Sequence, residues 1–386
     1  MDLNAVLQHA VAAGASDVHL KLGQPPVLRV DGELAPASDV PALGPAELTS
    51  VLDRVTSGAP GRRQLFDETG ELDLAFSEPG LPRFRVNGFR QRGAISFAFR
   101  VIPDEIGSFA ELHLPPGVAR LAEEQRGLVL VTGATGSGKT TTLAAMLDHI
   151  NRTRRHHIVT IEDPIEILHR DRGCIVNQRE VGLDTDSFDQ ALRRVLRQDP
   201  DVILIGELRD TETAHVALQA AESGHLVFST LHTLDVAETV GRMIQFFPPE
   251  KQQQVIAVLA GVLRGVVSQR LLPRLDGGRI PAVEVMVSNA RVAELIRERR
   301  PEEIPDAIAA GEYFQMQTFS QALIDLVLGG LVDRETAASA ATNRHDFEIA
   351  LERAEKAAAV QAGASAAPAA PTTPDEGTPR LRVAGA

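Results

Sequence analysis

The sequence is poor in the residues that build disulfides and aromatic surfaces. Its 386 residues include one cysteine, Cys174, one tyrosine and no tryptophan, and aromatic residues make up 4% of the chain. A single cysteine excludes an intramolecular disulfide and a cysteine-cluster zinc site. Scarce aromatics leave little surface on which single-stranded bases could stack, and a net charge of −13 opposes duplex binding, which needs a strongly basic face. We therefore expect no nucleic-acid partner.

Long hydrophobic runs are absent as well. No segment approaches the roughly 18 uninterrupted apolar residues typical of a membrane span. The first residues, MDLNAVLQHAVAAG, have an acidic residue at Asp2 and no basic start, so they predict a short amphipathic helix and not an export signal. We expect a cytoplasmic protein.

The hydrophobic content of 44% is ample for folding, and the length suggests two domains. Residues 1–103 mix short helices and strands and predict a small α+β domain. Residues 104–120 are rich in proline and predict a linker. Residues 121–356 alternate strands with helices and predict an α/β core, whereas residues 357–386 are rich in Ala and Pro and predict a disordered tail.

Within the predicted α/β core, four short apolar runs stand out: LVLVT, HIVTIE, VILIG and LVFST. Turn residues bound each run, as is typical of parallel strands buried on both faces. Downstream of these runs helices are expected to dominate, and residues 248–272 are predicted as one long helical segment.

The stretch GATGSGKT, residues 133–140, follows the first of these strands and precedes a helical pattern. Glycines let such a loop turn several backbone N–H groups inward, and the helix that follows adds the positive end of its dipole. In the pattern G-x-x-x-x-G-K-[ST], the lysine reaches the β- and γ-phosphates and the hydroxyl binds Mg²⁺. The sequence therefore predicts an ATP and Mg²⁺ site formed by Gly133, Ala134, Thr135, Gly136, Ser137, Gly138, Lys139, Thr140 and Thr141.

Acidic residues follow two of the predicted strands. Glu162 ends HIVTIE and Asp163 follows it, and Glu207 directly follows VILIG. Ligands of open α/β sheets bind at this carboxyl edge, and phosphoryl transfer needs acids that hold Mg²⁺ and orient a water. Glu162 and Glu207 are thus predicted to be catalytic, with Glu207 binding Mg²⁺ directly or through water. A single acid in such a place could also be a solvated loop residue or a helix cap.

Two histidines flank the strand LVFST. His232 follows it, at the same edge as Glu207, where it could sense the γ-phosphate through a hydrogen bond. His225 precedes it and should lie at the opposite end of the strand. The geometric argument for a role in ATP hydrolysis is therefore weaker for His225 than for His232.

Positive charge is concentrated in the first domain, in RFRVNGFRQRG and SFAFR. Arginine binds phosphate oxygens through its planar fork. If these side chains act on ATP, the small domain must approach a nucleotide held by the large domain of the same or a neighbouring subunit. A solvated basic strand face is the alternative. The arginines in question are Arg83, Arg85, Arg90, Arg92 and Arg100.

Several blocks resemble the PilT/PilU family of type IV pilus retraction ATPases. They include GATGSGKTTTLAAMLDHIN, HHIVTIEDPIE, AAESGHLVFSTLHT and FQMQTFSQAL, and the likeness runs from about Ala15 to about Leu351. The resemblance implies a homohexameric ring with a PAS-like N-terminal domain and a RecA-like C-terminal ATPase domain, with nucleotide between them. It also implies a place at the inner face of the cytoplasmic membrane, an inner-membrane platform protein as partner, and a paralogous retraction or extension ATPase as a further one.

The same resemblance implies roles for individual residues: Lys139 and Thr140 match the Walker A motif, Glu162 the Asp box, Glu207 the Walker B motif, His225 and His232 the His box, and Arg85, Arg92 and Arg100 the arginine-bearing strands. One departure is Ala293 in RVAELIRE, where the family pattern has an arginine. Some segments, GCIVNQREVGLDTDSF among them, are more similar to PilU than to PilT.

Three alternatives to a retraction ATPase stay open. An extension or type II secretion ATPase resembles the core, but such proteins usually have an additional N-terminal domain and often a four-cysteine zinc site. A DNA-translocating RecA-like motor is disfavoured by the acidic balance of the chain. A partner that binds nucleotide without hydrolysing it is disfavoured because both carboxylates and the lysine are present.

Overall fold

The computed structural model describes residues 1–30, 32–37, 40–102 and 106–365, with side chains as far as residue 359. The helices are α1 Leu3–Ala12, α2 Pro45–Val55, α3 Pro60–Thr69, α4 Pro116–Ala122, α5 Lys139–Thr153, α6 Phe188–Val195, α7 Thr211–Glu222, α8 Val236–Gln245, α9 Pro249–Val262, α10 Ala290–Arg297, α11 Ile304–Ala309, α12 Phe319–Leu328, α13 Arg334–Ala340 and α14 Arg344–Ser365. The strands are β1 Asp17–Lys21, β2 Val27–Val30, β3 Glu33–Pro36, β4 Glu71–Phe76, β5 Phe84–Gln91, β6 Ala94–Val101, β7 Gly127–Thr132, β8 His157–Glu162, β9 Ile175–Glu180, β10 Val202–Ile205, β11 Leu226–Leu231, β12 Leu263–Pro273 and β13 Arg279–Val287.

The first domain is built on a six-stranded antiparallel sheet in the order β3-β2-β1-β6-β5-β4. Its strands alternate buried and accessible residues, and helices α1, α2 and α3 contact it. Large side chains such as Leu52, Phe66, Phe84 and Phe99 are fully buried in its core. One face of the sheet is thus apolar, and the other keeps the charged residues.

The second domain is built on a seven-stranded sheet in the order β13-β12-β7-β11-β10-β8-β9. All neighbours are parallel except the antiparallel pair β12 and β13. Every residue of β7, β10 and β11 is buried, because helices cover both faces. The predicted α/β core is confirmed, and the carboxyl ends of β7, β8, β10 and β11 lie at one edge of the sheet.

The prediction of one helix across residues 248–272 was wrong in its second half. Helix α9 ends at Val262, and β12 follows it directly, pairing with β7 on one side and β13 on the other. Both halves of the segment are apolar, so hydrophobicity alone did not mark the change. Two neighbouring β-branched residues, Val266 and Val267, fit a strand, and Gly265 packs so tightly that an added Cβ would collide with Leu121.

The predicted linker and tail are both more structured than expected. Helix α4 begins at Pro116, inside the predicted linker, continues to Ala122 and buries Val118 in the second core, while residues 103–105 lie outside the described part of the chain. At the other end, α14 continues to Ser365, so residues 357–365 are helical and not disordered. Alanine, common in this stretch, is the strongest helix former. Residues 366–386 lie outside the described residues.

The C-terminal helices α12, α13 and α14 form a small core of their own around Phe319, Phe347 and Leu351. This core packs against Leu272 and Ile280 on the outer part of β12 and β13. Within the described ranges, no helix combines the length and apolarity needed to cross a bilayer.

Candidate nucleotide-binding site

The loop between β7 and α5 is shaped by glycines. Gly133, Gly136 and Gly138 have φ angles of 138°, 80° and 93°, a region that side chains disfavour. A Cβ at Gly133 would also clash with the Gln269 carbonyl oxygen and would lie 2.6 Å from Ser137 Oγ. The loop can therefore close tightly only with glycine at these positions.

The inside of this loop fits an anion. Lys139 is the first residue of α5, and its Nζ donates to the carbonyl oxygens of Gly133 at 2.7 Å and Ala134 at 3.0 Å. Helix α5 has Gly138 as its N-cap and hence no side-chain cap, which leaves its first N–H groups available. Ser137 Oγ is buried and has no hydrogen-bond partner among the described residues. Thr140 is partly exposed and Thr141 exposed.

Lys139 is partly buried, and acidic side chains lie near its ammonium group. Burial lowers the pKa of Lys139, and the negative charges of Glu207 and Glu166 oppose that effect. A group that bears negative charge, such as a phosphate, would stabilise the charged form of the lysine in the same way. Lys139 and Glu207, predicted from separate motifs, are thus brought together.

Glu162 is held in place by two neighbours. Its Oε1 accepts a hydrogen bond from Thr160 Oγ1 at 2.6 Å and one from Gln178 Nε2 at 3.1 Å. The residue is 8% exposed, and burial raises the pKa of Glu162. A carboxylate with a raised pKa is suited to accepting a proton, and the two hydrogen bonds fix its orientation.

Glu207 and His232 contact each other, as their common edge of the sheet predicts. His232 Nε2 lies 3.1 Å from Glu207 Oε1, and Arg209 Nε donates to Glu207 Oε2 at 3.0 Å. Because β10 and β11 are parallel neighbours, the residues that follow them meet at the same place. This arrangement places His232 in direct contact with the acid beside Lys139.

Sequence reasoning missed three residues of this site. Glu166 lies close enough to Lys139 and Glu162 to affect the pKa values of both, and Thr160 and Gln178 orient Glu162. Glu166 follows the strand end by four positions in IEDPIE, so a search of the whole loop could have found it. Gln178 belongs to a different strand, β9, and no local pattern relates it to Glu162.

His225 lies at the opposite edge of the sheet, as the order of residues along β11 predicts. Its Nδ1 is 3.0 Å from the Ala220 carbonyl oxygen and 3.1 Å from Ser223 Oγ. Its own carbonyl accepts from Gly127 N, at the start of β7. Within one chain, His225 is therefore separated from the glycine loop by the length of the strand.

The three candidate arginines of the first domain do not meet at the glycine loop. Arg100 Nε donates to Asp17 Oδ1 at 2.9 Å. Arg85 Nη2 lies 3.4 Å from Asp73 Oδ2. Arg92 is exposed at the turn between β5 and β6 with a φ of 51°.

Two further arginines of the same segment differ from these three. Arg90 stacks over Phe66 with its Cζ 5.3 Å from the ring centroid. Arg83 instead reaches the second domain, where its Nη2 lies 2.7 Å from Glu180 Oε2.

Comparison with known proteins gives matches that agree with one another. The family model of the type II/IV secretion system proteins matches residues 1–299. The chain is 44% identical over 347 residues to the type IV pilus retraction ATPase PilT of Pseudomonas aeruginosa, covering 90% of this chain and 100% of that protein. It is 40% identical over 352 residues to the type IV pilus ATPase PilU of the same bacterium, covering 91% of each. The crystal structure of the pilus retraction motor PilT with bound ADP matches with a TM-score of 0.84 and 44% identity, over 90% of this chain and 99% of that one.

Proposed function

The chain belongs to the type II/IV secretion system protein family, and we propose that it is an ATPase whose turnover powers retraction of type IV pili during twitching motility. The observation that carries the proposal is the 44% identity to PilT over 90% of this chain and 100% of that protein, on a chain whose glycine loop and acidic edge are intact. The resemblance to the PilT/PilU family, first inferred from motifs, is confirmed by these matches. The identities of 44% to PilT and 40% to PilU are too similar to assign the chain to one of these two proteins rather than the other.

In this proposal the glycine loop binds the phosphates of ATP, with Lys139 at the β- and γ-phosphates. Magnesium is commonly held by one or two protein groups together with phosphate oxygens, and Thr140 and Glu207 supply such groups. When bound, the ion neutralises charge that develops on the phosphates. Glu162 or Glu207 orients the attacking water, and His232, in contact with Glu207, responds to the γ-phosphate.

Arg85, Arg92, Arg100 and His225 lie away from this edge. We propose that they act on a nucleotide held by a neighbouring subunit or after the first domain has moved. In support, Arg100 is largely exposed, with 70% of its side chain accessible, and is thus free to reach a phosphate if it leaves Asp17.

The assembly is proposed to be a homohexamer at the inner face of the cytoplasmic membrane, in contact with a platform protein and with a paralogous pilus ATPase. Residues 1–103 would form the PAS-like domain and residues 121–356 the RecA-like ATPase domain of each subunit. The antiparallel and parallel sheets, which divide the chain near this boundary, support the two-domain assignment.

The proposal is tested in two steps. Purified protein should release phosphate from ATP in the presence of Mg²⁺, and Lys139→Ala should lower this release by about a thousandfold. Deleting the gene should then give cells that carry excess surface pili and do not spread by twitching. Bald cells would instead indicate an extension ATPase, and salt-sensitive DNA binding by the pure protein would indicate a DNA motor.

A further inference from the structure

The two domains meet at a buried ion pair. Arg83 precedes β5 in the first domain, and its Nη2 lies 2.7 Å from Glu180 Oε2 at the end of β9 in the second domain. The two side chains are 12% and 3% exposed. Arg62 on α3 approaches the same place. Its guanidinium lies so close to Gly182 that a Cβ added there would collide with it. The first domain thus presents two arginines to the end of β9.

Glu180 also holds the acidic loop of the proposed ATP site. The oxygen that pairs with Arg83, Oε2, accepts a hydrogen bond from Ile165 N at 3.3 Å. Ile165 lies between Glu162 and Glu166 in the chain, immediately before the acid whose charge acts on Lys139. One carboxylate oxygen therefore contacts the first domain and the backbone of the acidic loop.

Strand β9 has a second connection to the same loop. Glu162 and Glu180 are register neighbours on β8 and β9, and Gln178 donates to Glu162 Oε1 at 3.1 Å. Among the strands that the structure describes, β9 is at the edge of the sheet and pairs only with β8. Its position is set by β8 and by what packs on its end, which includes Arg83.

We propose that Arg83 and Glu180 are positioning residues that couple the placement of the first domain to the acidic loop containing Glu162 and Glu166. This inference rests on the proposed ATPase function. When the first domain is seated, Arg83 compensates the buried charge of Glu180, which can then hold the Ile165 N–H. When the domain moves away, Glu180 loses its counter-charge, and its hydrogen bond with the Ile165 N–H is altered.

Two further observations support a contact that forms and breaks. Burial raises the pKa of Glu180 while Arg83 opposes it, so the charge state of this carboxyl depends on the arginine. Arg83 Nε is buried without a hydrogen-bond partner among the described residues. The guanidinium is therefore not held as a two-pronged pair, which would be stronger and more rigid.

The first test uses Arg83→Gln, Glu180→Gln and the double variant in steady-state ATP turnover with Mg²⁺. We expect each single variant to lower kcat about tenfold while KM changes less than about threefold, because the loop is misplaced but the glycine loop is not. The double variant should be no slower than the slower single variant, since both remove one shared contact. Arg83→Lys should restore part of the rate. Arg54→Gln, which removes an ion pair with Glu78 inside the first domain, is the matched control and should leave kcat unchanged.

A second measurement does not depend on turnover. Amide hydrogen exchange of the full chain reports the Ile165 N–H, and we expect faster exchange over residues 161–168 in Arg83→Gln than in the wild type. Glu180→Ala, which removes the acceptor, should speed exchange more than Glu180→Gln, which keeps one. Arg54→Gln should show wild-type exchange.

The outcomes separate the coupling from the activity. Wild-type exchange over residues 161–168 in Arg83→Gln, or single-variant effects on kcat that multiply in the double variant, would overturn the coupling. A wild-type protein without turnover would refute the ATPase proposal, and the exchange data would still decide whether Arg83 acts on the loop.

Discussion

The two sheets of this molecule place their charged residues differently. In the antiparallel sheet, charges face one another across the strands: the register pairs Arg29 with Asp17, Asp17 with Arg100 and Arg100 with Arg85. In the second sheet, β7, β8, β10 and β11 have no charged residue between their ends, and the acids Glu162 and Glu207 lie where β8 and β10 end. The first sheet pairs arginines with acids on its own face, Arg29 and Arg100 with Asp17 and Arg85 with Asp73, whereas the second concentrates acids at one edge where a ligand can bind.

The difference is visible in two buried or half-buried acids. Burial would raise the pKa of Asp17, but hydrogen bonds from Ser16 and Arg100 outweigh it and hold the pKa of Asp17 below its usual value. Glu284 on β13 has weaker compensation, and burial raises the pKa of Glu284 to about 7. Asp17 of the first sheet is thus stabilised as an anion, whereas Glu284 of the second sheet favours its protonated form.

The strongest test of the comparison is the lysine of the glycine loop. Lys139→Ala should lower ATP turnover by about a thousandfold, because it removes a preorganised positive charge from the phosphate site. Phosphate release and binding of a fluorescent ATP analogue measure the effect. Lys251→Ala, an exposed lysine on α9, serves as the control and should behave as wild type. Substantial turnover without Lys139 would show that the active edge has been misassigned.

A somewhat smaller loss is expected for the acid beside it. Glu207→Gln preserves shape and removes charge, so turnover should fall by a few hundredfold while nucleotide affinity is retained. Single-turnover hydrolysis and analogue binding distinguish the two quantities. Unchanged hydrolysis would exclude Glu207 from the reaction.

The buried acid of the second sheet gives a test of stability. Because the folded-state pKa of Glu284, about 7, exceeds the value of 4.5 for an unperturbed glutamate, its contribution is complete below pH 4.5 and is lost as pH rises through 7. The loss amounts to about 3 kcal/mol. The free energy of unfolding of Glu284→Gln, from urea titrations between pH 5 and 8, should lack this decline. Glu294→Gln, an exposed acid on α10, should keep it, and a wild-type slope in Glu284→Gln would contradict the assignment.

The smallest effects are expected for the arginines of the first sheet. Arg85→Ala, Arg92→Ala and Arg100→Ala should each lower kcat by about tenfold and ATP affinity by less, if they act in the transition state of a neighbouring or rearranged site. Stability should change by less than about 1 kcal/mol, since the side chains of Arg85 and Arg100 are 38% and 70% exposed and Arg92 is exposed. A loss of turnover accompanied by a lowered melting temperature would indicate a folding defect instead.

Prediction from sequence succeeded where a motif or the end of a predicted strand fixes the position of a residue. The glycine loop has a fixed spacing, and residues that end parallel strands share an edge, so Lys139, Glu207 and His232 could be placed together. Gln178 and Glu180 could not, because their partners Glu162 and Arg83 are brought to them by sheet order and by domain packing. Strand β12 was mistaken for helix because its apolar run continues that of α9 without a turn residue between them.

The position of β12 has a practical consequence for anyone who wishes to make a smaller version of this protein. The strand comes late in the sequence, yet it lies between β7, which leads into the glycine loop, and β13. A fragment that stopped after α9 would leave β7 with a row of unpaired backbone groups, the kind of edge that promotes aggregation. Any truncation intended to keep the nucleotide site soluble should therefore extend at least to Val287.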